Sequence, residues 1–131
     1  MKKTPLLNSA LSEVIASLGH GDRVVIADAG LPIPPQTRRI DLALTQGVPG
    51  FVETLRVVLT EMKVDGFVVA EETGRVSPAV LAEIQRLLSG VPMQTVPHAE
   101  LKDMTREARV VVRTGEFTPY ANVILLSGVV F

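Results

Sequence analysis

The strongest constraint in this chain is a set of apolar runs too short to be helices. Val24-Val25-Ile26-Ala27, Phe67-Val68-Val69-Ala70 and Val110-Val111-Val112 are rich in β-branched side chains. Such side chains suit a pleated, extended backbone and crowd a helix. Being apolar without alternation, they read as strands covered on both faces. Between them apolar residues recur at helical spacing. Leu11, Val14, Ile15 and Leu18 fall at i, i+3, i+4 and i+7, with Asn8 or Ser9 placed to cap them and Gly19 to stop them. Phe51, Leu55, Val58, Leu59 and Met62 keep a second helical face behind Pro49, which suits the first helical position. A third, Val80, Leu81, Ile84, Leu87 and Leu88, follows Ser77-Pro78, an N-cap and N1 pair, and runs to Gly90. Residues 40–44 and 93–96 read as further strands and residues 99–108 as a last helical stretch. Residues 123–130 read as a closing strand that carries an apolar chain end into the sheet. Gly30, Pro32, Pro34 and Pro35 keep residues 28–36 out of helix and central strand. The alternation predicts an α/β fold: one compact domain over residues 1–131, with a mainly parallel central sheet and helices on both faces.

Composition narrows the function. Thirteen Lys and Arg against fourteen Asp and Glu leave a formal net charge of −1, no field for nucleic acid or an anionic membrane. The absence of cysteine removes disulfides, thiolate nucleophiles and zinc ribbons. No apolar stretch approaches the ~18 residues needed to cross a bilayer. Lys2 and Lys3 are followed not by a signal-peptide core but by Asn8, Ser9, Ser12 and Glu13, so a cytoplasmic protein is expected. Counting the ten glycines raises the 47% apolar share to about 55%, above the roughly 45–50% of a typical domain counted the same way. That excess points to self-association. With two His and one Tyr in the chain, imidazole or phenol chemistry must use His20, His98 or Tyr120.

Four polar places compete for a role. Gly19-His20-Gly21-Asp22 ends a helix and enters a strand, the wrong polarity for a phosphate loop, which opens a helix. His20 is either an uncrowded proton-transfer group or part of a helix-ending turn. Asp28 follows a strand, where open α/β sheets bind ligands; it either grips hydroxyls or starts an Asx-turn. His98, after Pro97, begins a helix, where solvent exposure is the plainer reading. Residues 113–122 are the densest polar segment and longer than a tight hairpin needs. Tyr120 and Asn122 there offer donors and acceptors suited to a neutral polyhydroxylated ligand; the plain alternative is an edge loop with an Arg113–Glu116 surface pair. There is no metal-ligand spacing and no Gly-x-Ser-x-Gly elbow, so proton transfer without metal or cofactor is expected.

Together these segments resemble the D-ribose pyranase family, small sugar mutarotases related to the L-fucose mutarotases. The resemblance runs through Met1-Lys2-Lys3, Leu7-Asn8, Leu18-Gly19-His20-Gly21-Asp22 and Asp28-Ala29-Gly30-Leu31-Pro32-Ile33-Pro34. It continues through Ile40-Asp41-Leu42-Ala43-Leu44, Pro97-His98, Arg113-Thr114-Gly115-Glu116 and Thr118-Pro119-Tyr120-Ala121-Asn122. It implies interconversion of the β-pyranose and β-furanose forms of D-ribose, an isomerase reaction without cofactor. It implies His20 as proton donor, with Asp28, His98, Tyr120, Ala121 and Asn122 around the sugar, in a ring-like homodecamer. The alternatives are a fucose-type mutarotase and a sugar-binding or structural subunit without catalysis.

One geometric expectation is independent of that resemblance. His20 precedes the strand at residues 23–27 and Asp28 follows it, about 16 Å apart at ~3.3 Å per residue. A small sugar cannot touch both unless the loops fold back. The expectation is a site at a subunit interface, His20 coming from a neighbouring copy.

Overall fold

The computed structural model describes residues 1–131. The chain runs α1 (Ser9–Ser17), β1 (Arg23–Ala27), β2 (Arg39–Asp41), α2 (Phe51–Val58), β3 (Val64–Ala70), α3 (Glu71–Val76) and α4 (Pro78–Leu87). It continues with β4 (Met93–Val96), α5 (His98–Met104), a 3-10 turn (Thr105–Glu107), β5 (Val110–Arg113) and β6 (Val123–Ser127). The six strands form one mixed sheet in the order β2-β5-β1-β6-β3-β4. The β1–β5, β2–β5 and β3–β4 pairs are parallel, whereas β6 lies antiparallel to both β1 and β3. Five strands therefore point one way and β6 alone points back.

Strand side chains alternate between two cores, as period-two geometry requires. Val24, Ile26, Val110, Val112, Val123, Leu125, Phe67 and Val69 face a larger cluster with Leu11 and Val14 of α1, Phe51, Leu55 and Val58 of α2 and Ile84 of α4. Val25, Ala27, Val111, Ile124, Val68, Ala70 and Val96 face a smaller one completed by Leu31 and by Leu101 of α5. Helices cover both faces, so the apolar strand runs are buried on both sides.

Four local expectations differ from the structure. β2 stops at Asp41, whose Oδ1 accepts the Ala43 N–H at 3.1 Å and turns the chain out of the sheet. α2 begins at Phe51 with Gly50 as its N-cap, so Pro49 stands ahead of the helix. The first helical N–H there is satisfied by the distant Glu116 carboxylate at 3.1 Å, which fixes where the helix starts. β6 stops at Ser127, because its pairing with β3 ends at Val64–Ser127. Residues 128–131 follow no strand, and Val130 and Phe131 are exposed, so the chain end is not held in the sheet. Finally, α3 has no counterpart in the sequence pattern, since Glu71-Glu72-Thr73-Gly74-Arg75-Val76 carries no apolar stripe.

Candidate active site

Strand direction decides which residues meet. The chain leaves β1 at Asp28, β3 at Glu71, β4 at Pro97 and β5 at Thr114, and it enters β6 from Asn122, all at one edge of the sheet. A cavity of about 500 Å³ opens there, with Asp28, Leu31, His98, Arg113, Glu116 and Tyr120 in its wall. That is ample for a monosaccharide.

Asp28 lines the cavity and Asn122 holds it from beneath. The Asp28 N–H donates to Asn122 Oδ1 and Asn122 Nδ2 donates to Asp28 Oδ2, both at 2.9 Å. Asp28 Oδ1 also accepts the Gly30 N–H at 3.0 Å, so the Asx-turn is real and still leaves each carboxylate oxygen a lone pair. Asn122 and Ala121 are fully buried and lie beneath the wall rather than in it.

The 113–122 segment is anchored rather than loose. Arg113 does not pair with Glu116. Its Nη1 meets Asp41 at 3.1 Å and its Nε donates to the Ala29 carbonyl at 3.0 Å, joining the β5 and β1 loops. Glu116 accepts from Phe51 N–H and from Thr118 Oγ1, at 3.1 and 3.0 Å. Burial works against its charge, but these bonds outweigh that cost and hold its carboxyl below the usual range. Gly115 lets the loop close on residues 45–48, because a Cβ there would collide with the carbonyls of Thr45 and Val48.

His98 and Tyr120 meet edge to face, ring centres 4.9 Å apart at 83°. His98 Nδ1 is buried with no partner in the chain. Burial, then the Lys102 charge, holds the imidazole below its ordinary value, against the opposing pull of Glu72 and Asp28. It is therefore a neutral ring at pH 7, able to accept or donate one proton. Glu72 Oε2 accepts the His98 N–H at 2.9 Å. No pattern in the sequence marks Glu72 or Thr73, and Ser77 reads there only as a helix cap. The signal for Glu72 and Thr73 is position alone, just beyond the carboxyl end of β3.

His20 lies at the opposite edge. It sits in a turn between α1 and β1 that Gly21 N–H ties to the Ser127 carbonyl at 2.8 Å. The Gly19 N–H and Arg109 hold the Asp22 carboxyl of that turn below its usual range. His20 Nε2 is 3.5 Å from Asp65 Oδ2, and its side chain is 68% exposed. Asp65 in turn lies directly over Gly128, where any Cβ would collide with its carboxylate. Asp28, His98 and Tyr120 thus share a cavity, and His20 is separated from it by the length of β1.

The chain matches the RbsD / FucU transport protein family over residues 1–130. It is 62% identical to a D-ribose pyranase of Chloroflexus aggregans, covering 100% of both chains. It is 56% identical to a D-ribose pyranase of Symbiobacterium thermophilum, again over 100% of both. Among solved structures it is similar to Bacillus subtilis RbsD complexed with D-ribose, with a TM-score of 0.97, 44% identity and 100% of both chains covered. Its similarity to a fucose mutarotase in complex with L-fucose from Streptococcus pneumoniae has a TM-score of 0.85 at 24% identity, with 100% of both chains covered. That second likeness is one of fold.

Proposed function

The chain belongs to the RbsD / FucU transport protein family, and on that premise we propose that it is an isomerase interconverting the β-pyranose and β-furanose forms of D-ribose. The observation that carries this reading is 56–62% identity, over the whole chain, to proteins named D-ribose pyranase. The cavity fits it: carboxylate, phenol and neutral imidazole suit an uncharged, hydroxyl-rich ligand, and the guanidinium in the wall, Arg113, is already paired with Asp41.

The chemistry needs only proton movement. In the pyranose the C1–O5 bond breaks as the anomeric hydroxyl loses its proton and O5 gains one, giving the open aldehyde. O4 then attacks C1 and loses its proton while the carbonyl oxygen regains one. No proton is gained or lost overall, and no redox step occurs. A positioned acid–base group contributes about 10²–10⁴-fold, enough for a sugar that already isomerises slowly in water.

In this reading Asp28 accepts from sugar hydroxyls, and Tyr120 offers a hydroxyl and an apolar ring face. His98 Nδ1 adds a hydrogen-bonding atom, and Asn122 and Ala121 support the floor. His20 supplies the acid–base group from a neighbouring subunit, brought to the cavity because its own edge of the sheet lies too far away. Exposed Met1, Leu7, Phe117, Val130 and Phe131 provide apolar surface for such contacts. A ring-like homodecamer in the cytoplasm, supplying ribose for catabolism, completes the reading.

Saturation-transfer NMR on equilibrated D-ribose tests the activity. Catalytic amounts of protein should transfer saturation between pyranose and furanose signals, with L-fucose run beside it as the competing sugar. Unchanged ribose exchange, or faster exchange only for L-fucose, would sink the ribose reading.

A further inference from the structure

Tyr120 is the only non-glycine residue with a positive φ, 60°. A side chain tolerates that conformation only where its surroundings impose it. Both lone pairs of its carbonyl are engaged. One accepts the Asn122 N–H at 2.9 Å, the other the Thr73 hydroxyl at 2.8 Å. Thr73 is fully buried, so its single hydroxyl proton has no competing water. One helical turn on, Ser77 does not cap α4, although it stands at the cap position. Its Oγ donates instead to the Pro119 carbonyl at 2.6 Å. Glu72, beside Thr73, receives the His98 N–H at 2.9 Å. Side chains of α3 and its cap thus grip two segments far apart in sequence, and the rings those segments carry meet edge to face.

We propose that α3 is a positioning clamp for the sugar-facing pair His98 and Tyr120, with Thr73 as the positioning residue that holds Tyr120 in its left-handed conformation. This rests on reading the cavity as the ribose site. None of Glu72, Thr73 and Ser77 lines the cavity, so each acts through the residue it holds. Thr73 removes the freedom of the 119–121 backbone, and Glu72 sets where α5 begins and hence where the His98 ring lies. Substrate then meets a preformed pair instead of having to order it, which lowers the cost of binding.

The test uses a convenience of composition: the chain has one Tyr and no Trp, so its tyrosine emission comes from Tyr120 alone. Thr73→Val keeps the shape of the side chain and removes the hydroxyl; Thr73→Ser keeps the hydroxyl. Thr73→Val should alter tyrosine emission and near-ultraviolet circular dichroism in sugar-free protein. It should also raise KM for D-ribose about tenfold while kcat changes by less than about twofold. Thr73→Ser should match the wild type in all of these. Ser77→Ala should shift the same readouts in the same direction by less, and it decides the matter if Thr73→Val does not fold. Wild-type emission and KM in Thr73→Val would overturn the clamp. So would equal losses in Thr73→Val and Thr73→Ser that merely follow melting temperature. If the wild type leaves ribose exchange unchanged, the ribose reading fails, while the sugar-free emission still decides the clamp.

Discussion

Asp28 and Asn122, ninety-four residues apart, exchange two hydrogen bonds of 2.9 Å, backbone N–H to amide oxygen and amide N–H to carboxylate. The amide is fully buried and spends itself on Asp28. Asn122 therefore fixes the carboxylate from below while Asp28 faces the cavity. Asn122→Ala should cost about 1–3 kcal/mol of stability, since it leaves a carboxylate oxygen and a part-buried N–H of Asp28 without partners. It should raise KM more than it lowers kcat. Denaturant unfolding beside steady-state kinetics checks both, and unchanged stability would mean that the floor is built differently.

His98 gives a pH prediction. Burial and Lys102 lower its pKa in the folded chain from the ordinary value of 6.5. Between those two values the unfolded chain binds more protons than the folded one. The stability linked to neutral His98 is therefore fully present above about pH 6.5 and is lost as pH falls through the folded value. Melting temperature should drop on acidification below about pH 6.5 more steeply in the wild type than in His98→Gln. Equal slopes would show that His98 titrates alike in both states.

Asp65 stands 3.5 Å from His20 and directly over Gly128. If this contact orients the imidazole, Asp65→Asn should lower kcat by about tenfold with KM nearly unchanged. Gly128→Ala should do the same from a distance, because the added methyl must push the Asp65 carboxylate away. A normal kcat in both variants would remove Asp65 from the reaction.

The sequence was most legible where burial alone dictates structure. Val24 to Ala27 and Val110 to Val112 are strands because buried, β-branched runs fit a sheet, and Leu11 and Val14 mark α1 because its stripe packs on that sheet. Apolar residues misled where cover was the issue. Val129, Val130 and Phe131 read like strand, yet no β3 partner remains beyond Val64. Polar structure was hardest to foresee. α3 has no stripe to betray it, and its purpose is to hydrogen-bond chains that arrive from elsewhere. Asp28, His98 and Tyr120 could be singled out because sequence rarity and strand-end position mark them. The depth of Asn122 depends on long-range packing that no local pattern encodes.

The claim that one site draws on two chains is tested most directly by mixing inactive subunits. His20→Ala and Asp28→Ala proteins, each purified, are unfolded together at equal amounts, refolded, and checked for mixed oligomers by light scattering and mass spectrometry. Each interface that pairs an intact His20 with an intact Asp28 should be active, so exchange of ribose signals should recover to about a quarter of the wild-type rate. Mixed oligomers that stay as inactive as either parent would contradict the shared site.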